Sequence, residues 1–252
     1  VETIDGRANA LWKESMYSAV SSPVNPPGSP TPKDNVSTLR LRYQTIEFRH
    51  TDIHVRTLRD RQEFSDDKGI AAKLGITSST WSLFGVIWDS GMVLAHLMQH
   101  FDFAGKRILE VGCGIGLSSL VLNSRGANIT ATDYHPEAQN FLNINAGLNQ
   151  NKTIPFVRTG WADRDSCLGK FDVIIGSDLL YEPNHADLLS GFIHKHASQP
   201  CEIIIIDPGR RQRARFSQAM RALGYSHCRS RPDTSGYILQ EAFGGYVLEY
   251  KR

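Results

Sequence analysis

Four short runs in this chain are apolar on both faces, and they alternate with stretches long enough for helices. The runs are Arg107 to Val111, Asn128 to Thr132, Phe171 to Gly176 and Cys201 to Ile206. The helix-length stretches are Met92 to Phe101, Leu117 to Ser124, Pro136 to Leu148, His185 to His196 and Arg211 to Leu223. A strand with no polar face must be covered on both sides, so the alternation predicts an α/β fold with a parallel sheet between helices. Right-handed crossovers then bring the C-terminal ends of the strands to one edge. Ligands bind outside that edge, so function is to be read from the residues that follow each strand.

The part before residue 81 has a different rhythm. Prolines 23, 26, 27, 30 and 32 mark an extended linker, preceded by a possible short amphipathic helix over Ala8 to Val20. Leu39, Leu41 and Tyr43 then alternate with Arg40, Arg42 and Gln44, and Ile53, Val55 and Thr57 alternate again after a polar turn, which predicts a β-hairpin. The expected organisation is a Pro-rich N-terminal segment over 1–36, a hairpin extension over 37–80 and the main domain over 81–252.

Composition excludes several classes. With 40% hydrophobic and 21% charged residues and a formal net charge of +2, the chain is neither disordered nor a strongly basic nucleic-acid binder. Its strongly apolar runs, such as Ile203 to Ile206, fall short of the roughly 20 residues of a membrane-spanning helix, so no membrane partner is expected. No basic, apolar leader opens the residues given, so no secretory signal is expected. Cys113, Cys167, Cys201 and Cys228 form no CxxC pair, which predicts reduced thiols and a cytoplasmic location. His96 and His100 stand four apart without the carboxylate of HExxH, and neither they nor His194 and His196 are expected to bind a metal.

The first strand runs into Glu110, Val111, Gly112, Cys113, Gly114, Ile115, Gly116 and Leu117. Glycines at a strand-to-helix turn admit a ligand where a Cβ would clash. Asp133 ends the next strand, where a carboxylate accepts hydrogen bonds from ribose hydroxyls. The dinucleotide fingerprint GxGxxG is not met, because Leu117 holds the place of its third glycine. Glu110 would repel a pyrophosphate and attract an ammonium or sulfonium. The segment therefore favours S-adenosylmethionine over NAD. At the third edge Trp161 is either an adenine neighbour or a core tryptophan, and at the fourth Asp178 faces either the ligand or a helix N-terminus.

Taken together, "FGVIWDSGMVLAHLM", "ILEVGCGIGLSSLV", "TATDYHP", the Gly160-Trp161 pair and "FDVIIGSDLLYE" resemble the class I methyltransferases, and more narrowly the lysine-methyltransferase-like family 16. "IIIIDPGRRQRARF" resembles its bacterial members. The resemblance runs strongly from about residue 84 to 210. It implies a Rossmann-like, seven-stranded, mostly parallel sheet with an antiparallel finish, for which "GYSHCRS" and "GGYVLEYKR" are candidates. It implies that Trp88 closes the cofactor pocket, that Gly112, Cys113 and Gly114 underlie the methionine part, and that Asp133 binds the ribose. Trp161 would lie beside adenine and Ser177 would line the pocket. Glu110, Gly116 and Tyr134 complete the cofactor-binding set, and Asp178 and Tyr181 would stand near the transferred methyl.

The function these readings imply is methyl transfer from S-adenosylmethionine, leaving S-adenosylhomocysteine, to a nitrogen acceptor that is expected to be a protein lysine. Three alternatives stay open on sequence: a nucleic-acid methyltransferase, a small-molecule N-methyltransferase, and a binding module without catalysis. Arg210, Arg211, Arg213, Arg215, Arg221, Arg229 and Arg231 are the feature that keeps nucleic acid in view, either as phosphate contacts or as a solvated helix face. The oligomeric state is not legible.

Overall fold

The computed structural model describes residues 39–49 and 51–252, so the expected helix and linker of 1–36 lie outside the described residues. Strands β1 (Leu41–Phe48) and β2 (Thr51–Leu58) form the expected antiparallel hairpin. The face of β1 that turns inward carries Ile46 and Phe48, not Leu41 and Tyr43. Leu41 and Tyr43 are 38% and 64% exposed, whereas Phe48 is buried. The reason is register: β2 commits Ile53, Val55 and Thr57 to the core, and these pair with Ile46, Gln44 and Arg42. A strand's side chains alternate, so the face of β2 decides that of β1.

Two single-turn helices, α1 (Ile70–Lys73) and α2 (Ser78–Trp81), and a 3-10 turn at Ser82–Gly85 lead into α3 (Asp89–Met98). The backbone N–H groups of Ala71 and Ala72 donate to the Asp66 carboxylate, which lets so short a helix as α1 close. Contrary to the expectation from apolar runs, Ser78–Met98 is long and apolar enough, at a mean hydropathy of 1.2, to cross a membrane by length and composition. In the fold it is broken by an extended stretch at 86–88, and 56% of its most apolar 18-residue window is buried inside the protein.

The rest alternates as expected. In chain order come β3 (Arg107–Val111), α4 (Leu117–Ser124), β4 (Asn128–Asp133), α5 (Ala138–Leu148), β5 (Phe156–Arg158), β6 (Phe171–Ser177), α6 (His185–His196), β7 (Ala197–Asp207), α7 (Arg213–Ala222), β8 (Ser226–Ser230) and β9 (Tyr246–Lys251). The seven-stranded sheet has the order β5-β4-β3-β6-β7-β9-β8, with every pair parallel except those of β9. The two segments expected to finish the sheet do so, β9 slotting between β7 and β8.

Period-two alternation divides the core. Ile108, Val173, Ile175, Ile204 and Ile206 face the layer that holds α3, α4, α5 and the hairpin. Leu109, Val111, Ile174, Ile203 and Ile205 face α6 and α7. Each such side chain, fully buried, contributes about 1.5–3 kcal/mol. Strand order reverses between β3 and β6, and at such a switch point the flanking crossovers leave on opposite faces and open a crevice.

Candidate active site

That crevice is a cavity of about 930 Å³, within the range of small-ligand sites. Trp88, Glu110, Gly112, Cys113, Gly114, Asp133, Tyr134, Trp161, Ser177, Asp178 and Tyr181 all line it. Gly116 does not. It stands behind the cavity as the N-cap of α4, with φ 78° and an added Cβ only 2.3 Å from Leu142. Its absent side chain serves helix packing rather than ligand approach.

The turn after β3 is built around Gly114. At φ 54° it sits where L-residues are strained, and a Cβ there would lie 2.7 Å from the carbonyl oxygen of Phe84. Its N–H donates to Asp133 Oδ2 at 2.8 Å, and the N–H of His135 donates to Oδ1 at 2.8 Å. Each carboxylate oxygen has two lone pairs, so Asp133 keeps one on either oxygen for a ligand. Burial raises its pKa, against the lowering effect of these backbone N–H groups.

Glu110 shares the face of Ile108 and is covered by the start of α4. Its Oε2 accepts from the Ser119 N–H at 2.9 Å and from the Ser119 hydroxyl, so it satisfies an orphan donor at the helix N-terminus. Burial nevertheless pushes its pKa up to about 7, with the Asp133 charge adding in the same direction. Two carboxylates are thus desolvated in one cavity. The same two charges and burial drive the Cys113 thiol well above its ordinary value, so it is a neutral lining group.

The fourth edge is more tightly organised than sequence reading anticipates. Asp178 follows β6 at φ 53°, unusual for a non-glycine residue, and its N–H reaches across to the Ile206 carbonyl at 2.9 Å. Its side chain, 11% exposed, accepts two hydrogen bonds from Arg210, Nε to Oδ1 at 2.7 Å and Nη2 to Oδ2 at 2.9 Å. Arg210 appears in the sequence only as one of a basic series; its partnership depends on β6 and β7 being neighbours. Burial and the carboxylates of Asp133, Glu182 and Asp178 push the Tyr181 hydroxyl up to about 12, so it stays protonated.

Two histidines to which the sequence reading gives no role join the cavity. His185 stacks edge-on between Trp161, at 4.9 Å, and Tyr181, at 4.6 Å. Its Nδ1–H donates to the Leu179 carbonyl at 2.7 Å, and burial lowers its pKa, so Nε2 carries a lone pair. His135 lies against Phe84 at 3.8 Å, and burial pushes its pKa down to about 3. Its Nδ1 accepts from the Glu137 N–H, which leaves the proton on Nε2, a buried atom without a partner among the described residues. On the opposite wall the Trp88 indole donates to the Leu83 carbonyl at 2.9 Å, with Arg61 over its ring at 4.3 Å. The Tyr134 hydroxyl is tied to the Leu74 carbonyl at 2.9 Å.

Comparison with known proteins agrees with this architecture. A family model described as lysine methyltransferase matches residues 71–222. Over 115 residues the chain is 33% identical to the protein N-lysine methyltransferase METTL21A of Danio rerio, covering 41% of this chain and 52% of the relative. Over 128 residues it is 26% identical to EEF1A lysine methyltransferase 3 of Xenopus tropicalis, covering 49% and 51%. The chain spans about half the length of the curated relatives it matches. Among solved structures, the 16S rRNA methyltransferase RsmC of T. thermophilus, in complex with AdoMet and guanosine, superposes with a TM-score of 0.57 at 12% identity, covering 84% of this chain and 51% of that one. At that identity the likeness concerns the fold.

Proposed function

The chain belongs to the lysine methyltransferase family, and from that premise we propose that it transfers a methyl group from S-adenosylmethionine to a lysine side chain of a protein. The observation that carries this reading is the pair of carboxylates, buried Glu110 and half-buried Asp133, that line the cavity on either side of the glycine turn. Desolvated like charges favour a cationic ligand, and the cofactor carries both an ammonium and a sulfonium. The residues present fit it in other ways. Asp133 has lone pairs left for two ribose hydroxyls, and the Gly114 N–H holds that carboxylate in place.

Bound there, the cofactor supplies a methyl group already activated on a sulfonium sulfur. What the protein adds is alignment, exclusion of water and control of the acceptor's proton. A lysine ammonium has a reference pKa of about 10.4, so an N–H must be given up before the nitrogen can attack. Asp178, fixed by Arg210, keeps one lone pair on each oxygen and orients the amine. The Nε2 lone pair of neutral His185 is a second acceptor on the same side. Tyr181, as a protonated phenol, closes the acceptor end with its ring. The fixed guanidinium makes Asp178 an orienting group.

Four free thiols, Cys113 and Cys201 buried and Cys167 and Cys228 exposed, support placing this activity in a reducing compartment such as the cytoplasm. The test of the proposal is incubation of a cell lysate with labelled S-adenosylmethionine and either wild-type or Asp178→Ala protein, followed by identification of the labelled species. Label in protein lysine with the wild type alone supports it. Label confined to RNA or small metabolites overturns it.

A further inference from the structure

Three guanidinium groups converge on one ring at the edge of the sheet. Arg213 lies 4.2 Å from the Tyr246 ring centre, Arg231 4.9 Å and Arg229 5.0 Å. They come from α7, the end of β8 and the residue after β8, brought together because β9 inserts between β7 and β8. Arg231 is also held in place, donating from Nη1 to the Gly244 carbonyl at 3.2 Å and from Nη2 to the Tyr246 hydroxyl at 3.3 Å.

The charge of this cluster is unbalanced. Arg213 approaches the buried Asp207 at 3.8 Å, and no carboxylate pairs with Arg229 or Arg231 among the described residues. A cation over an exposed ring gains about 0.5–1 kcal/mol, but the ring neutralises nothing. Two exposed guanidinium groups without a carboxylate partner, held beside a third, favour an anion. Of the remaining arginines of that stretch, Arg210 pairs with Asp178 and Arg215 with Asp187.

Position gives the cluster its meaning. Tyr246 pairs with Asp207 at the C-terminal end of β7, so it stands on the same sheet edge as Ser177 and Val111. A second cavity, of about 380 Å³, shares Trp88, Asp178 and Arg210 with the first and is lined also by Asp89, Glu241, Phe243 and Gly244, the last of which accepts a hydrogen bond from Arg231. β9 and β8 lie two and three strands beyond β6, and strands are about 4.8 Å apart, so the cluster stands roughly 10 to 14 Å from Asp178.

We infer that Arg213, Arg229 and Arg231 form a docking site for an acidic segment of the protein substrate, flanking the residue to be methylated. This rests on the protein-lysine reading above. An extended peptide advances about 3.3 Å per residue, so the carboxylates belong about three to four positions from the acceptor. A nucleic-acid backbone is the less fitting occupant. The patch is a compact group of three on a chain whose net charge is only +2, whereas a phosphate backbone calls for a continuous basic stripe.

The test is fluorescence anisotropy with fluorescein-labelled hexaglutamate, run without cofactor and repeated with a labelled oligothymidylate. Arg229→Gln/Arg231→Gln is expected to bind hexaglutamate at least tenfold more weakly than wild type, while Arg221→Gln, outside the cluster, binds as wild type does. Unchanged melting temperature and cofactor affinity in the double variant show that the fold is intact. Equal hexaglutamate binding by the double variant and wild type overturns the inference. So does tighter binding of oligothymidylate that is lost in the same double variant. Because no cofactor is present, failure of the methyltransferase reading would leave hexaglutamate binding unchanged, and failure of the docking site would leave cofactor binding unchanged.

Discussion

Arg210 grips Asp178 with two parallel hydrogen bonds, 2.7 and 2.9 Å long, across the C-terminal ends of β6 and β7. A planar fork matches a carboxylate in a way a lysine ammonium cannot. The pair therefore fixes the direction of the Asp178 oxygens, at the end of the cavity we propose receives the acceptor. Arg210→Lys is expected to keep the charge and lose the alignment, lowering turnover about tenfold or more while changing cofactor affinity by less than about threefold. Steady-state kinetics with calorimetry checks this. Turnover equal to wild type in Arg210→Lys would show that alignment by the fork is dispensable.

Glu110 makes a stability prediction with a definite sign. Burial raises its pKa from the ordinary 4.5 to about 7. Between those values the folded protein holds a proton that the unfolded chain has released, so stability falls as pH rises through the window, by about 3 kcal/mol in all. Glu110→Gln removes the ionisation and should be more stable than wild type at pH 8, in the absence of cofactor, with little difference at pH 4. Urea denaturation at both pH values tests it; parallel losses in the two proteins contradict it.

The same carboxyl links ligand binding to a proton. A cation beside Glu110 favours the ionised form, so binding of S-adenosylmethionine near pH 7 should release protons and should strengthen from pH 6 to pH 8. Calorimetry in buffers of different ionisation enthalpy reads the proton count directly. A binding heat independent of buffer at pH 7 would remove Glu110 from the site.

Gly114→Ala places a methyl group 2.7 Å from the Phe84 carbonyl at a φ of 54°. The obstacle is backbone and cannot swing aside. The substitution should lower stability by about 1–3 kcal/mol and weaken cofactor binding at least tenfold, since the Gly114 N–H also holds Asp133. Wild-type thermal stability together with wild-type affinity would contradict the role assigned to this turn.

What the sequence made legible followed from local pattern. Ile108, Leu109 and Val111 with the glycines behind them announce a strand, a turn and a helix within a dozen positions, and Asp133 is found by counting from them. What it hid depended on neighbours distant along the chain. β5 has only three residues, Phe156–Arg158, too few for periodicity to register. Leu41 and Tyr43 look like a buried face until β2 sets the register. Arg210 looks like surface charge until β6 and β7 are known to be adjacent, and His185 until α6 brings it between Trp161 and Tyr181. Three of the seven arginines converge on Tyr246 only because β9 runs between β7 and β8.

The decisive measurement is calorimetric titration of wild-type and Asp133→Ala protein with S-adenosylmethionine and, separately, with NAD. Binding of S-adenosylmethionine by the wild type, weakened at least tenfold by Asp133→Ala and with no heat from NAD, is the predicted result. Binding of NAD in preference, or an S-adenosylmethionine affinity indifferent to the loss of Asp133, would contradict it.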